Sequence, residues 1–151
     1  MPKQSSFHTD LPPSQEAWEL ACPEALRQDL LWKLHVYRAA LFILHCAKED
    51  ARALRARYRG GIADQLERAV GSVSANLAEG YSRAGSADRI RFFSYALGSA
   101  REAITWYIAA ADVIPEAHHT HRQSLLSKVR AMLLRLIESQ RRTTNRDFKR
   151  I

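Results

Sequence analysis

Apolar residues recur through most of the chain at alternating spacings of four and three positions. A spacing of this kind places side chains on one face of an α-helix, and the fold buries that face. The first apolar stripe comprises Leu30, Leu34, Tyr37, Leu41 and Leu44, and Ala51 continues it after Lys48. It is interrupted at Gly60 and Gly61, because adjacent glycines disfavour a helical backbone.

Three further stripes follow with the same spacing. The second contains Ile62, Leu66, Ala69, Val73, Leu77 and Gly80. The third contains Ile90, Phe93, Leu97, Ala100, Ile104, Tyr107 and Ala111. The fourth contains Leu125, Val129, Met132 and Leu136, widened by Leu126, Leu133 and Ile137. No segment alternates with a period of two over a strand length, so the pattern predicts an all-α, up-and-down antiparallel four-helix bundle.

Turn-forming residues mark the expected helix ends. We expect Gly85 to end the second helix in the left-handed region and Ser86 to cap the third helix. Pro115 suits the opening of the fourth helix, where its missing N–H is not needed.

Composition separates both ends of the chain from the bundle, which we assign to residues 30–142. Residues 1–29 are polar and proline-containing, and we expect an extension that is partly disordered or forms a short helix around Gln15–Leu20. Residues 143–151 are predicted to form a frayed, basic C-terminal tail.

Positive charge is unevenly distributed along the 151 residues. The formal net charge is +7; residues 1–29 hold two basic and five acidic side chains, so the remainder carries +10. A basic body favours polyanions, although a solvated surface can be equally basic. Two cysteines are too few for a disulfide framework, and neither a signal peptide nor an apolar run of bilayer length is present. We therefore expect a cytoplasmic protein.

The third helix is unusually poor in charge for a surface helix. Phe92–Ala100 and Ala103–Ala111 contain no charged residue, whereas a monomeric bundle exposes a charged outer face. This pattern predicts an interface between subunits; the alternative is a central helix screened by the extension. The candidates for the interface are Phe92, Ala96, Ala103 and Trp106.

Two segments carry a family resemblance. They are Ser72-Val-Ser-Ala-Asn-Leu-Ala-Glu-Gly80, with Tyr81-Ser-Arg83 after it, and Arg91-Phe-Phe-Ser-Tyr-Ala-Leu-Gly-Ser99. Together they resemble the four-helix-bundle proteins encoded by intervening sequences of bacterial large-subunit rRNA genes, and more distantly the accessory protein of diversity-generating retroelements. The resemblance implies a homopentamer, a basic surface suited to RNA or DNA, and no catalytic activity.

The signature residues have two possible roles. Ser72, Asn76 and Glu79 share one helix face, where they would form either a polar pocket or, as we favour, a buried hydrogen-bond network between helices. Gly80 and Gly98 would permit close contacts between helices, or Gly80 would begin a helix end.

Catalytic and metal-binding motifs have little support. His118, His119 and His121 cluster near a helix start, and Glu116 with His119 has the spacing of di-iron bundles, but the second motif such a site needs is missing. Zinc bound by the three histidines is an open alternative. No nucleophile elbow, phosphate loop or dinucleotide glycine pattern occurs, so we predict neither an enzyme nor a cofactor.

Arginines are the best candidates for function. In an up-and-down bundle the turn between the second and third helices lies at the same end as the end of the fourth helix. Five arginines would combine there into one basic rim: Arg83, Arg89, Arg91, Arg141 and Arg142. A second cluster, at the opposite end, comprises Arg52, Arg55 and Arg59.

The sequence therefore predicts a non-catalytic homo-oligomer that binds structured nucleic acid, with RNA favoured, through phosphate contacts. One alternative is a protein-interaction scaffold or an accessory partner of a nucleic-acid enzyme. Another is a metal-dependent enzyme built on the histidine cluster.

Overall fold

The computed structural model describes residues 12–58 and 61–148, and within these ranges the backbone forms helices and no strand. Two short helices come first, α1 (Gln15–Ala21) and α2 (Glu24–Gln28), followed by a 3-10 turn. Four long helices follow: α3 (His35–Arg57), α4 (Ile62–Tyr81), α5 (Ser86–Ala109) and α6 (Glu116–Phe148). The prediction of an all-α fold is confirmed, with six α-helices in the described ranges where four long ones and one short one were expected.

The long helices run in alternating directions, as two clusters of core residues demonstrate. One cluster joins the second half of α3 to the first half of α4, the end of α5 and the start of α6. The other joins the start of α3 to the end of α4, the first half of α5 and the later part of α6. Each long helix is therefore antiparallel to its neighbours in sequence.

The buried face of α3 differs from the stripe read from the sequence. Leu34, Leu41 and Leu44 are only half-buried, and Leu30 is exposed. The centre of the face is instead formed by Val36, Ala39, Ala40, Ile43 and Ala47, and Ala51, which continues the predicted stripe, is buried as expected. Small alanine side chains let neighbouring helices approach closely, and the longer leucines then flank the contact. The stripes on α4 and α6 lie close to their predicted faces.

The helix ends agree with the sequence at two turns and differ at one. Gly61 has a φ of 79°, in the region that favours glycine, directly before α4. Pro115 precedes α6, and its carbonyl accepts a hydrogen bond from the His119 N–H at 2.9 Å. The left-handed ending expected at Gly85 is wrong: α4 ends at Tyr81, and Gly85, with a φ of −85°, caps the start of α5 in place of Ser86.

Helix α6 continues past residue 142 to Phe148, so residues 143–148 are helical where a frayed tail was expected. Local contacts support this extra length. Arg142 pairs with Glu138 at 3.1 Å, and the Thr143 hydroxyl donates to the Ser139 carbonyl. With 33 residues, α6 is about 50 Å long, against about 30 Å for the 20 residues of α4, and it projects beyond the bundle.

The N-terminal extension packs on the bundle. The ring of Trp18 in α1 lies 5.6 Å from the ring of Phe42, and Glu19 forms an ion pair with Arg38 at 3.2 Å. Helices α3 and α6 have the least mutual contact among neighbouring long helices, and α1 lies along this seam. Helix α1 thus covers a gap that the long helices leave open.

A buried ion pair joins three helices inside the core. Asp50 of α3 and Arg122 of α6 have no exposed side-chain surface, and Arg122 donates to both carboxylate oxygens of Asp50, at 2.9 and 3.1 Å. The hydroxyl of Tyr107 in α5 donates to the same carboxylate at 2.7 Å. Burial and the adjacent carboxylate raise the pKa of Tyr107 well above its usual range, so this hydroxyl keeps its proton.

We expect that breaking this ion pair destabilises the protein strongly. Asp50→Leu and Arg122→Met each leave one buried charge without its partner. Each variant should therefore lower the free energy of unfolding by about 3–5 kcal/mol. The double variant should lose less than the sum of the two, as measured by urea denaturation. Arg55→Met, which removes an exposed ion pair, is the control and should cost much less. Equal losses at Arg122 and Arg55 would contradict the role of the buried pair.

Two glycines differ in the space around them. A Cβ at Gly80 of α4 would lie 2.7 Å from Cε1 of Phe93 and 3.0 Å from Cβ of Phe92, so its lack of a side chain permits the contact of α4 with α5. A Cβ at Gly98 of α5 would meet nothing within 4 Å. The close helix contact expected at Gly80 is therefore present, whereas no helix among the described residues of the same chain approaches Gly98.

Alanine substitutions should separate these two glycines. Gly80→Ala forces the ring of Phe93 to move and should lower stability by about 1–3 kcal/mol. Gly98→Ala removes the conformational freedom of a glycine within a helix and should stabilise a single subunit by up to about 1 kcal/mol. Thermal denaturation followed by circular dichroism measures both. A stabilised Gly80→Ala variant would contradict the tight packing between α4 and α5.

Candidate nucleic-acid interface

The basic rim predicted from the sequence lies around the turn between α4 and α5. Arg83 follows the end of α4, and Arg89 and Arg91 lie in the first two turns of α5. One pocket is lined by Tyr81 and Arg89 from this turn together with Gln140 of α6. Because Gln140 directly precedes Arg141 and Arg142, the later part of α6 reaches the same end of the bundle.

Most of the rim arginines have acidic neighbours. Arg83 pairs with Glu79, Arg91 with Asp88 at 3.2 Å, and Arg142 with Glu138 at 3.1 Å. All three pairs are exposed, and such pairs contribute little to stability, so their arginines can be shared with another anion.

Arg89 has a different environment. Its Nε–H donates to the backbone carbonyl of Arg83 at 2.6 Å, and in the described ranges no carboxylate forms an ion pair with it. A backbone carbonyl therefore fixes one side of the guanidinium without neutralising its charge.

The ring of Phe92 contacts two of the other rim arginines. The guanidinium carbon of Arg83 lies 5.0 Å from the centre of the Phe92 ring, and that of Arg91 lies 5.4 Å from it. Contacts of this kind attract a cation to the face of an aromatic ring. The ring thus holds two long, flexible side chains near the α4–α5 turn.

The second arginine cluster does not form a comparable patch. Arg55 pairs with Asp64 at 2.7 Å and with Glu67, both on α4, and these two carboxylates raise its pKa. Arg52 is exposed, and its Nε–H donates to the Lys48 carbonyl at 3.3 Å. Arg59 lies outside the described residues. The acidic residues of α4 explain why Arg55 serves a contact between helices.

The signature residues form a network smaller than the one expected. The amide of Asn76 donates to the carbonyl and hydroxyl oxygens of Ser72, at 2.8 and 2.9 Å. The Ser99 hydroxyl donates to the Ser72 hydroxyl at 3.0 Å, which joins α5 to α4. Glu79 is exposed and paired with Arg83, and so lies outside this half-buried network.

The expected interface residues divide into two groups. Ala96 and Ala103 are fully buried in the core of their own chain, so placing them at a subunit interface was wrong. The reason is that α5 packs on both α4 and α6, which covers two of its faces. Phe92 and Trp106 are half-buried, and Tyr95, whose ring lies 5.9 Å from that of Phe92, is 53% exposed.

His119 and His121 both form hydrogen bonds within the chain. His119 Nε2 lies 2.9 Å from the Tyr107 carbonyl oxygen. The Nη1–H of Arg122 donates to His121 Nδ1, with 3.0 Å between the two nitrogens. Burial and the charge of Arg122 lower the pKa of His121 to about 4, so its ring is neutral near pH 7. His118 is buried. In the described part of the chain, no group of three or more His, Cys, Asp or Glu side chains is arranged to hold a metal ion.

Sequence reasoning missed several residues that matter in the structure. Asp50 and Arg122 were not singled out, although Arg122 lies three and seven positions before Leu125 and Val129 on the apolar stripe of α6. A charge on an apolar stripe is the signal that was available. Tyr81 and Gln140 were also missed as pocket residues. Gln140 follows the apolar Leu136 by one helical turn, which is a weaker signal of the same kind.

Within the described ranges, no helix combines the length and the hydropathy needed to cross a bilayer. None of the curated proteins matches the chain. The solved structure of a protein of unknown function from the S23 ribosomal protein family of Bacteroides thetaiotaomicron is similar, with a TM-score of 0.63 at 19% identity. The similarity covers 68% of this chain and 97% of the other, and it demonstrates a shared helical fold.

The family model for 23S rRNA-intervening sequence proteins matches residues 33–135, which include α4 and α5 with both signature segments. The match begins just before α3 and ends within α6, so it covers α3, α4, α5 and the first part of α6 and omits α1 and α2. The chain belongs to the family of 23S rRNA-intervening sequence proteins.

Proposed function

We propose that this chain is a non-catalytic cytoplasmic protein that assembles into a homo-oligomer and binds structured RNA through the phosphate backbone. The observation that carries the proposal is the basic rim, in which the α4–α5 turn and the later part of α6 contribute arginines to one end of the bundle. Arginine presents several donors in a planar fork that suits phosphate oxygens.

The distribution of charge supports this proposal. Residues 30–151 carry a formal charge of +10, and RNA attracts such a surface by releasing its condensed counterions. Contacts of this type fix where the protein lies on the nucleic acid and carry little information about base sequence.

We expect the affinity for RNA to depend on the rim and on salt. Replacing Arg89, Arg141 and Arg142 together by Gln should weaken binding to rRNA fragments at least tenfold at about 100 mM salt and flatten the plot of log affinity against log salt. Fluorescence anisotropy with labelled fragments and plain duplexes measures both effects. The control replaces three exposed arginines away from the rim, Arg68, Arg101 and Arg130, by Gln.

If both triple variants weaken RNA binding equally, the binding depends on the net charge of the protein and not on the rim. No binding by the unaltered protein at low salt would remove RNA from the proposal altogether.

The oligomer is the second part of the proposal, and the resemblance supports a pentamer. A ring of five repeats the rim five times, and binding several phosphate groups at once raises the overall affinity. The outer face of α5 supports an interface, because it carries exposed Tyr95, half-buried Phe92 and Trp106, and a glycine at position 98 with open space in front of it. Gly98 would let a neighbouring subunit approach the helix backbone closely.

We expect the mass in solution to be five times the 17.2 kDa of one chain. Tyr95→Asp should reduce it to that of a single chain, because a carboxylate is costly to bury at an apolar contact. Leu20→Asp, at a still more exposed apolar position on α1 outside the matched region, should leave the mass unchanged. Light scattering after size exclusion measures the mass. A value of 17.2 kDa for the unaltered protein rules out the ring.

The alternative is a scaffold or accessory partner of a nucleic-acid enzyme. One observation favours it: the acidic extension exposes Leu20 and Leu30, at 76% and 61%, outside the region shared with the family. Co-purification of one protein at fixed stoichiometry, lost in Leu20→Asp, together with no binding to RNA, would favour this function.

A further inference from the structure

A pocket of about 390 Å³ opens at the basic rim, and no residue that the structure describes fills it. Four segments of the bundle line it: the start of α3, the end of α4, the first turns of α5 and the later part of α6. The lining residues are Leu34, Tyr81, Arg89, Phe93, Leu136 and Gln140. The volume lies at the lower end of the range typical of small-molecule sites, about 300–1,000 Å³.

The lining combines three kinds of chemistry. Phe93, which is 2% exposed, forms an apolar wall with Leu34 and Leu136. Tyr81 is 41% exposed and offers an aromatic ring, and Gln140 offers an amide that both donates and accepts hydrogen bonds. A flat, apolar group with polar edges matches such walls.

Arg89 adds a cationic group that the chain leaves without an ionic partner among the described residues. The backbone carbonyl of Arg83 holds its Nε–H at 2.6 Å, so the guanidinium is fixed at the pocket. An anion next to the flat group would satisfy this charge. The combination of aromatic ring, amide and guanidinium suits a nucleobase with its phosphate, because unstacked RNA bases bind by stacking on aromatic rings and by hydrogen bonds at their edges.

We propose that this pocket receives one unpaired nucleobase of the RNA bound at the rim, with the adjacent phosphate on Arg89. The base stacks on Tyr81 within the apolar walls, and Gln140 contacts its polar edge. This inference rests on the proposed function, and it adds that the preferred RNA carries a bulged or terminal unpaired nucleotide. A free nucleotide shares the same chemistry, so the experiment includes both sources.

The experiment compares three probes by fluorescence anisotropy and calorimetry at low salt. They are a fully paired RNA hairpin, the same hairpin with one bulged adenosine, and adenosine monophosphate. The unaltered protein should bind the bulged hairpin about tenfold more tightly than the paired one, which is the size of effect expected for one stacked base. Tyr81→Leu should abolish this preference and leave the affinity for the paired hairpin unchanged.

Tyr58→Leu is the matched control, since this tyrosine lies at the opposite end of the bundle, next to Asp112. It should retain the tenfold preference. Circular dichroism checks that each variant is folded, and Gln140→Leu, which removes only the amide, provides a second variant if Tyr81→Leu does not fold. Gln140→Leu should reduce the preference for the bulge without changing the binding of the paired hairpin.

The outcomes separate this pocket from the rim. Equal affinity of the unaltered protein for both hairpins, or equal effects of Tyr81→Leu and Tyr58→Leu, overturns the base pocket while the rim still binds RNA. If neither hairpin binds but the monophosphate does so in a Tyr81-dependent way, the rim fails and the pocket stands as a site for free nucleotides. If none of the three probes binds, both proposals fall.

Discussion

The ion pair between Asp50 and Arg122 is the interaction on which the arrangement of the long helices depends. It joins α3 to α6, the two neighbouring long helices with the least mutual contact, and Tyr107 brings α5 into the same cluster. A buried charge without a partner is costly, so sliding one helix past another by a turn is strongly disfavoured. Alanine contacts alone discriminate poorly between neighbouring registers, because small apolar side chains fit in many positions. The polar cluster therefore selects the register that the apolar face leaves open.

The register of the helices determines which residues of different helices come together at the end of the bundle. With α3, α5 and α6 fixed by the polar cluster, and α4 drawn against α5 at Gly80, the α4–α5 turn lies level with Gln140 of α6. The pocket and the basic rim form because these helix ends lie at the same level of the bundle. The same close contact at Gly80 positions Phe92, and the ring of Phe92 then holds Arg83 and Arg91 near the turn.

The rim combines parts of the chain that the family model covers with a part that it does not. Arg83, Arg89 and Arg91 lie within residues 33–135, whereas Gln140, Arg141 and Arg142 lie beyond them. Helix α1 is likewise outside the match and packs across the α3–α6 seam through Trp18 and Glu19. The matched part of the bundle thus supplies three of the five rim arginines, and segments outside the match complete the rim and cover the seam.

The sequence by itself determined the helical class and the four long helices, because a 3.6-residue period and its breaks are local properties of the chain. The two signature segments are likewise visible in the sequence alone. The sequence also predicted that the α4–α5 turn and the later part of α6 lie at one end of the bundle, since antiparallel order follows from short connections. Only the tertiary structure decided that Ala96 and Ala103 are internal, that Arg55 is neutralised by α4, and that Asp50, Tyr107 and Arg122 meet. These facts depend on which faces of different helices come into contact. Tyr107 and Arg122 lie 57 and 72 positions after Asp50, and at such distances along the chain the sequence carries no local signal that the side chains pair.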